Sequence, residues 1–213
     1  MFDLNKFIDE VHTNSVAHGF WEGERDICES IALIHAEWSE ALEEYRADRP
    51  MVWTACEAPI EVGSVCPSME LKGICANECC TFSDVGYKHP KPEGIAIELI
   101  DGCIRILDLF GKYERSVEGG SIEGMARYAA INNPQLDGST PVPKLVAGLH
   151  SITARALDRA LTIGSTRRGI APLVGALGVV FHWLIENGYD PEKLMLAKHE
   201  YNKTRPYKHG KKC

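Results

Sequence analysis

Residues 93–113, EGIAIELIDGCIRILDLFGKY, have the spacing of a helix with almost no polar face. Ile97, Ile100, Cys103, Ile104 and Leu107 form one stripe, and Leu99, Ile106 and Phe110 widen it until only Glu98, Asp101, Arg105 and Asp108 remain as a narrow charged strip. A helix this apolar belongs in the middle of a fold, with other elements around it. Its charged strip goes there with it, and a buried charge without a partner is so costly that it shifts its pKa and neutralises. The strip must therefore be paired, hydrated or bound to metal, which makes it the first candidate for a site.

A second acidic pattern matches the first. In residues 24–47, Ile27, Ile31, Ile34, Trp38, Ala41, Leu42 and Tyr45 define an amphipathic helix, with Glu37, Glu40 and Glu44 on the arc beside the stripe. Residues three apart share a helix face, so Glu37-x-x-Glu40 and Glu98-x-x-Asp101 each point two carboxylates one way. Side by side, the two helices would gather four acids that repel one another unless a cation sits among them. Hard oxygen ligands suit Mg²⁺ or Mn²⁺, ions that commonly serve phosphate chemistry. Di-iron carboxylate bundles use Glu-x-x-His pairs, and neither pattern supplies the histidine. Trp38 lies in the middle of its stripe and reads as core, and Cys28 and Cys103, on apolar faces, read as small core residues.

The remaining segments are also mostly helical in period. Leu4, Phe7, Ile8, Val11 and Val16 mark a first helix over residues 4–18 that ends near Gly19. Helices are expected at about 142–161 and 168–187, the latter with Gly175-x-x-Gly178 where another helix can approach closely, and a last helix starts at Asp190-Pro191-Glu192. Residues 48–92 are rich in Pro and Gly, show no helical period and read as a Cys/Pro-rich insertion, with regular structure resuming after Lys91-Pro92-Glu93. Residues 114–141 read as a loop-rich connection with a short helix at 122–128. No segment alternates like a strand. The expectation is an all-α fold, one domain over residues 1–213.

Charge and hydropathy narrow the setting. A net charge of -7 and a pI near 5.6 argue against a broad nucleic-acid surface, so a small anionic ligand needs a local basic patch. The most apolar stretch, residues 170–187, is interrupted by Pro172 and His182 and reads as a buried helix rather than a membrane span. The N-terminus, MFDLNKFIDEV, lacks the basic start and apolar run of a secretory signal, and a cytoplasmic setting with reduced thiols is expected. Five of the eight cysteines fall in the insertion. Cys56, Cys66, Cys75, Cys79 and Cys80 could hold a structural Zn²⁺, although their spacings of 9, 8, 3 and 0 residues contain no Cys-x-x-Cys pair.

The C-terminal segment KHEYNKTRPYKHGKK supplies the basic patch. Lys198, Asn202 and Arg205 follow one another at helical spacing, and five Lys or Arg fall between residues 203 and 212 with no acid among them. Phosphate oxygens are the natural ligand, since Arg grips two at once and Lys acts as a point charge. Trp21, beside Gly19 and Phe20, is the aromatic residue best placed to stack on a base.

Taken in order, LIHAEWSEALEEYR, KPEGIAIELIDGCIRILDL and KHEYNKTRPYKHG resemble the MazG-like all-alpha nucleoside triphosphate pyrophosphohydrolases, relatives of the dimeric dUTPases, with GFW at 19–21 as a weaker match. The resemblance covers roughly a quarter of the chain. It implies that Glu37, Glu40, Glu98 and Asp101 hold Mg²⁺ and that Lys198, Asn202, Arg205 and Lys208 bind the phosphates of a nucleoside triphosphate. It further implies cleavage between the α- and β-phosphates to the monophosphate and pyrophosphate, with Glu37 or Glu40 as proton acceptor, and a homo-oligomer such as a dimer. The chain departs from compact relatives in placing 57 residues between Glu40 and Glu98. Two other readings stand beside this one: a non-catalytic helical protein whose zinc-stabilised Cys-rich loop binds a partner, and a nucleotide-binding regulator without turnover.

Overall fold

The computed structural model of the chain describes residues 2–23, 25–55, 74–75, 91–114, 116–117 and 121–210. Their order is α1 (Leu4–Ala17), α2 (Ile27–Arg46), β1 (Trp53–Ala55), β2 (Ile74–Cys75), β3 (Lys91–Glu93), α3 (Ile95–Lys112), α4 (Ile122–Asn132), α5 (Val142–Ile163), α6 (Thr166–Gly169), α7 (Leu173–Glu186) and α8 (Pro191–Lys203). A single 3₁₀ turn, Tyr207–Gly210, follows. The fold is all-α, with one very small sheet.

Helix α3 is the axis. Thirteen of its 18 residues are buried, and it packs against α1, α2, α7 and α8. Each fully buried Ile, Leu or Phe along it is worth ~1.5–3 kcal/mol, so the wide apolar arc is what draws four helices around it. The helix begins two residues later than its sequence suggests. Lys91-Pro92-Glu93 is a strand, antiparallel to β1 with Trp53 opposite Glu93 and Ala55 opposite Lys91. Gly94 then turns the chain into α3 at φ 107°, and a side chain there would strike the carbonyls of Pro50 and Met51 at 2.7 Å. The amide of Ala96 donates to Met51 O at 2.9 Å, tying the start of α3 to the segment between α2 and β1.

The insertion thus opens and closes on paired strands, where the sequence showed no alternation. Strands of two or three residues are too short for a period to register. Strand β2 pairs in parallel with the other edge of β1, giving the order β2-β1-β3. The proposed zinc ligands Cys56, Cys66, Cys79 and Cys80, and the side chain of Cys75, lie outside the described residues.

The other helices follow their sequence signals closely. Asp3, Asp26, Ser121 and Asp190 cap α1, α2, α4 and α8 with their side-chain oxygens. The expected 168–187 helix is split, because Pro172 has no N–H to donate and the chain bends between α6 and α7. Residues 166–186 are apolar enough and long enough to cross a membrane, yet 61% of the most apolar window is buried inside the fold. Gly178 lets α4 approach α7 closely, since a side chain there would meet Met125 O at 2.6 Å.

Helix α2 is fixed beside α3 by Trp38, which is fully buried as expected and donates from Nε1 to Thr153 Oγ1 of α5 at 3.0 Å. The His35 and His150 rings, with Nδ1 atoms 2.6 Å apart, make a second link from α2 to α5. Gly102 of α3 faces Trp38 so closely that a β-carbon would lie 2.3 Å from Cζ3 of the indole. Helix propensity alone favours Ala over Gly by about 1 kcal/mol, whereas forcing the indole aside costs about 1–3 kcal/mol. Gly102→Ala is therefore expected to lower the unfolding free energy in urea titration, and a gain in stability would show that Trp38 does not set the α2–α3 distance.

Candidate metal centre and phosphate cleft

The α2–α3 contact brings Glu37 together with Glu98 and Asp101, and ligand oxygens of all three lie within 4.8 Å of one another. Glu37 and Glu98 are buried and Asp101 is half-buried. Glu40 is different. Three residues on from Glu37 it has rotated toward solvent and is exposed, outside the three, although its charge still acts on Glu37.

Two cations answer the three acids. Arg105, one turn beyond Asp101 on α3, bonds through Nε to Glu37 Oε1. Lys198 of α8 is buried with its Nζ 2.8 Å from Asp101 Oδ2 and 3.2 Å from the carbonyl of Pro92, to which it donates. One formal negative charge is left over, and it is expressed in the pKa values. Burial pushes Glu98 up to about 9, with Lys198 opposing and Asp101, a hydrogen bond to Glu93 and Glu37 adding to the rise. Burial also raises Glu37, against the pull of Arg105. Burial disfavours the charge on Lys198, yet Asp101 and Glu98 hold its pKa above the usual lysine value.

The donor set fits a hard divalent cation. Each paired carboxylate gives one oxygen to its cation and keeps the other, so Glu37 Oε2, Asp101 Oδ1 and the oxygen of Glu98 not engaged with Glu93 remain as ligand atoms. Oxygen ligands on a Mg²⁺ octahedron with bonds near 2.1 Å lie roughly 3–4.2 Å apart, inside the span of this cluster.

Beside the acids, a cavity of about 60 Å³ opens between α1, α3 and α8. Asp101, Arg105 and Asp108 line it from α3, with Arg25, Asn202 and Arg205 around them. Two buried polar atoms at its wall have no hydrogen-bond partner among the described residues, His199 Nε2 and Asn202 Oδ1. A polar cavity with free donors and acceptors is built to hold something polar.

The sequence-derived phosphate ligands divide. Asn202 and Arg205 reach the cavity. Lys198 does not face it, because α8 lies along α3 and a buried lysine opposite an aspartate gives its charge to that aspartate. Lys208 does not line the cavity: its backbone N–H donates to His18 O at 2.9 Å, its Nζ lies 5.6 Å from the Tyr207 ring, and that ring covers Gly19. Trp21 is also committed. Its Nε1 donates to Asp108 Oδ1 at 2.9 Å, His12 Nδ1 lies 2.8 Å from the same oxygen, and Arg25 and Lys112 sit 5.3 and 5.1 Å from its ring. Arg25, Asp108 and His199 were not singled out as ligands in the sequence, and only Asp108 carried a signal, as part of the polar strip of α3.

No protein-family model, curated protein or solved structure matches the chain.

The raised pKa of Glu98 has a pH consequence. An unfolded glutamate releases its proton near 4.3, whereas folded Glu98 holds it to about 9, so the native state binds more protons over that interval and stability falls as pH rises through it. Without divalent ions, the urea midpoint of the parent is expected to fall relative to Glu98→Gln between pH 6 and pH 9. Added Mg²⁺ at pH 9 is expected to remove the difference. Parallel midpoints for the two proteins across that range would contradict the burial of Glu98.

Proposed function

We propose that this chain is a Mg²⁺-dependent nucleoside triphosphate pyrophosphohydrolase of the MazG-like all-α type, releasing the nucleoside monophosphate and pyrophosphate. The observation that carries the reading is the junction of a three-carboxylate cluster with an arginine-lined polar cavity. Acids alone would bind a cation, and arginines alone an anion. Side by side they suit a metal-bound polyphosphate, whose charge is spread over oxygens that need both.

Glu37, Glu98 and Asp101 would hold the ion, with Mn²⁺ an equivalent hard cation. When bound, such an ion polarises phosphoryl oxygens and lowers the pKa of a coordinated water. Arg105 and Lys198 are positioning residues that fix Glu37 and Asp101. Arg25 and Arg205 face the cavity and neutralise the phosphates and the departing pyrophosphate, and Asn202 orients them. Glu40, exposed and outside the ligand cluster, is the carboxylate free to take the proton of the attacking water. A cavity of about 60 Å³ accommodates phosphate groups and leaves the base and ribose beyond it. A homo-oligomer forms part of this proposal.

The test is pyrophosphate release from a panel of nucleoside triphosphates with and without Mg²⁺. Partners one step removed from a metal are worth about 10–100-fold, so Glu98→Gln is expected to lower kcat at least about 100-fold. Arg205→Gln is expected to act mainly on KM. Inorganic phosphate in place of pyrophosphate would assign the wrong bond, and no product with any triphosphate would overturn the reading.

A further inference from the structure

A second groove lies away from the acids, between α4, α5 and the start of α7. Its volume is about 340 Å³, within the roughly 300–1,000 Å³ of small-molecule sites. Ile152, Pro172 and Val174 give it an apolar floor, and Tyr128 of α4 stands at its edge with the side chain largely exposed. Arg155 and Arg159 rise along it from α5, one helical turn apart.

Neither Arg155 nor Arg159, both exposed, has a side-chain hydrogen bond or ion pair among the described residues; the same holds for Arg127 and Arg168, but only Arg155 and Arg159 line this groove. Two like charges on one helix face repel, and an anion between them removes the repulsion. The positive charge comes from these side chains alone. The first N–H groups of α7 are already spent, with Leu173, Val174 and Gly175 donating to the carbonyls of residues 170–172.

Gly175 adds a second observation. In the Gly175-x-x-Gly178 pattern only Gly178 is needed for helix approach, whereas a β-carbon at Gly175 would meet nothing within 4 Å. The space that the pattern suggested would hold a neighbouring helix is the groove itself.

We infer that this groove is a second ligand site, for a phosphorylated aromatic small molecule of nucleoside monophosphate size. A phosphate dianion matches two guanidiniums in charge and in forked geometry, where a single carboxylate would leave one arginine unneutralised. The Tyr128 ring and the apolar floor take the flat part of the ligand. None of α4, α5 or α7 carries a member of the acid cluster, so the inference stands apart from the proposed hydrolysis.

The experiment titrates the full chain, in EDTA, with the four common ribonucleoside monophosphates, their nucleosides and inorganic phosphate by calorimetry. At least one monophosphate is expected to bind more than about tenfold tighter than its nucleoside or phosphate alone. Arg155→Gln/Arg159→Gln and Gly175→Leu, which fills the groove from open space, are each expected to weaken it by at least about tenfold at unchanged melting temperature. Arg205→Gln, in the other cavity, is expected to leave it unchanged. If the arginine double variant unfolds, Gly175→Leu decides. The inference fails if no monophosphate binds, or if binding is lost in Arg205→Gln but kept in Gly175→Leu. It fails equally if the parent is an oligomer that Gly175→Leu dissociates, because the groove is then covered by a second copy.

Discussion

A charged strip on a helix that is otherwise wholly apolar has to be neutralised by whatever packs on it, and that requirement organises this fold. Asp101 takes Lys198 from α8, Arg105 takes Glu37 from α2, and Asp108 takes His12 from α1 and the indole of Trp21. Hydrophobic burial would hold these helices against α3 in many rotations and registers, because it is non-directional. The polar pairs select among them. Of the four surrounding helices, α1, α2 and α8 are each placed by one contact to the strip, and the elements of the cavity are arranged by the same contacts.

That logic explains how much of the molecule could be read from its sequence. The apolar arc of α3, the stripes of α1 and α2 and the start signal at Asp190-Pro191-Glu192 are local patterns, and they located those helices to within a few residues. The Glu37, Glu98 and Asp101 cluster was legible for the same reason, since helical spacing fixes which acids share a face. What could not be read is what lies across from each charge. Lys198 looks like a phosphate ligand when only its own helix is considered, and becomes a counter-ion once α8 is seen against α3. Glu40 shares a face with Glu37 in the coarse sense of helical spacing, yet the rotation between them is enough to leave one buried and the other exposed. His199 and Arg25 join the cavity through tertiary placement alone.

The balance of charge in the cluster has its own significance. Three acids with two built-in cations are nearly neutral, so the folded chain tolerates the site without a metal, at the expense of keeping Glu98 protonated well above its usual range. Under the proposed function, Glu37, Glu98 and Asp101 would hold an ion whose charge would favour the ionised form of Glu98.

The strand pair β1–β3 has a consequence for the insertion. Ala55 and Lys91 face each other in the antiparallel register, and the carbonyl of Pro92 on the returning strand is held by Lys198. The chain therefore leaves and rejoins the helical body through a clasp. Since the entropy of closing a loop rises only slowly with its length, evolution is free to lengthen, shorten or replace the intervening segment without disturbing the acids. Variation in what the protein meets outside can accumulate there while the helical body stays constant.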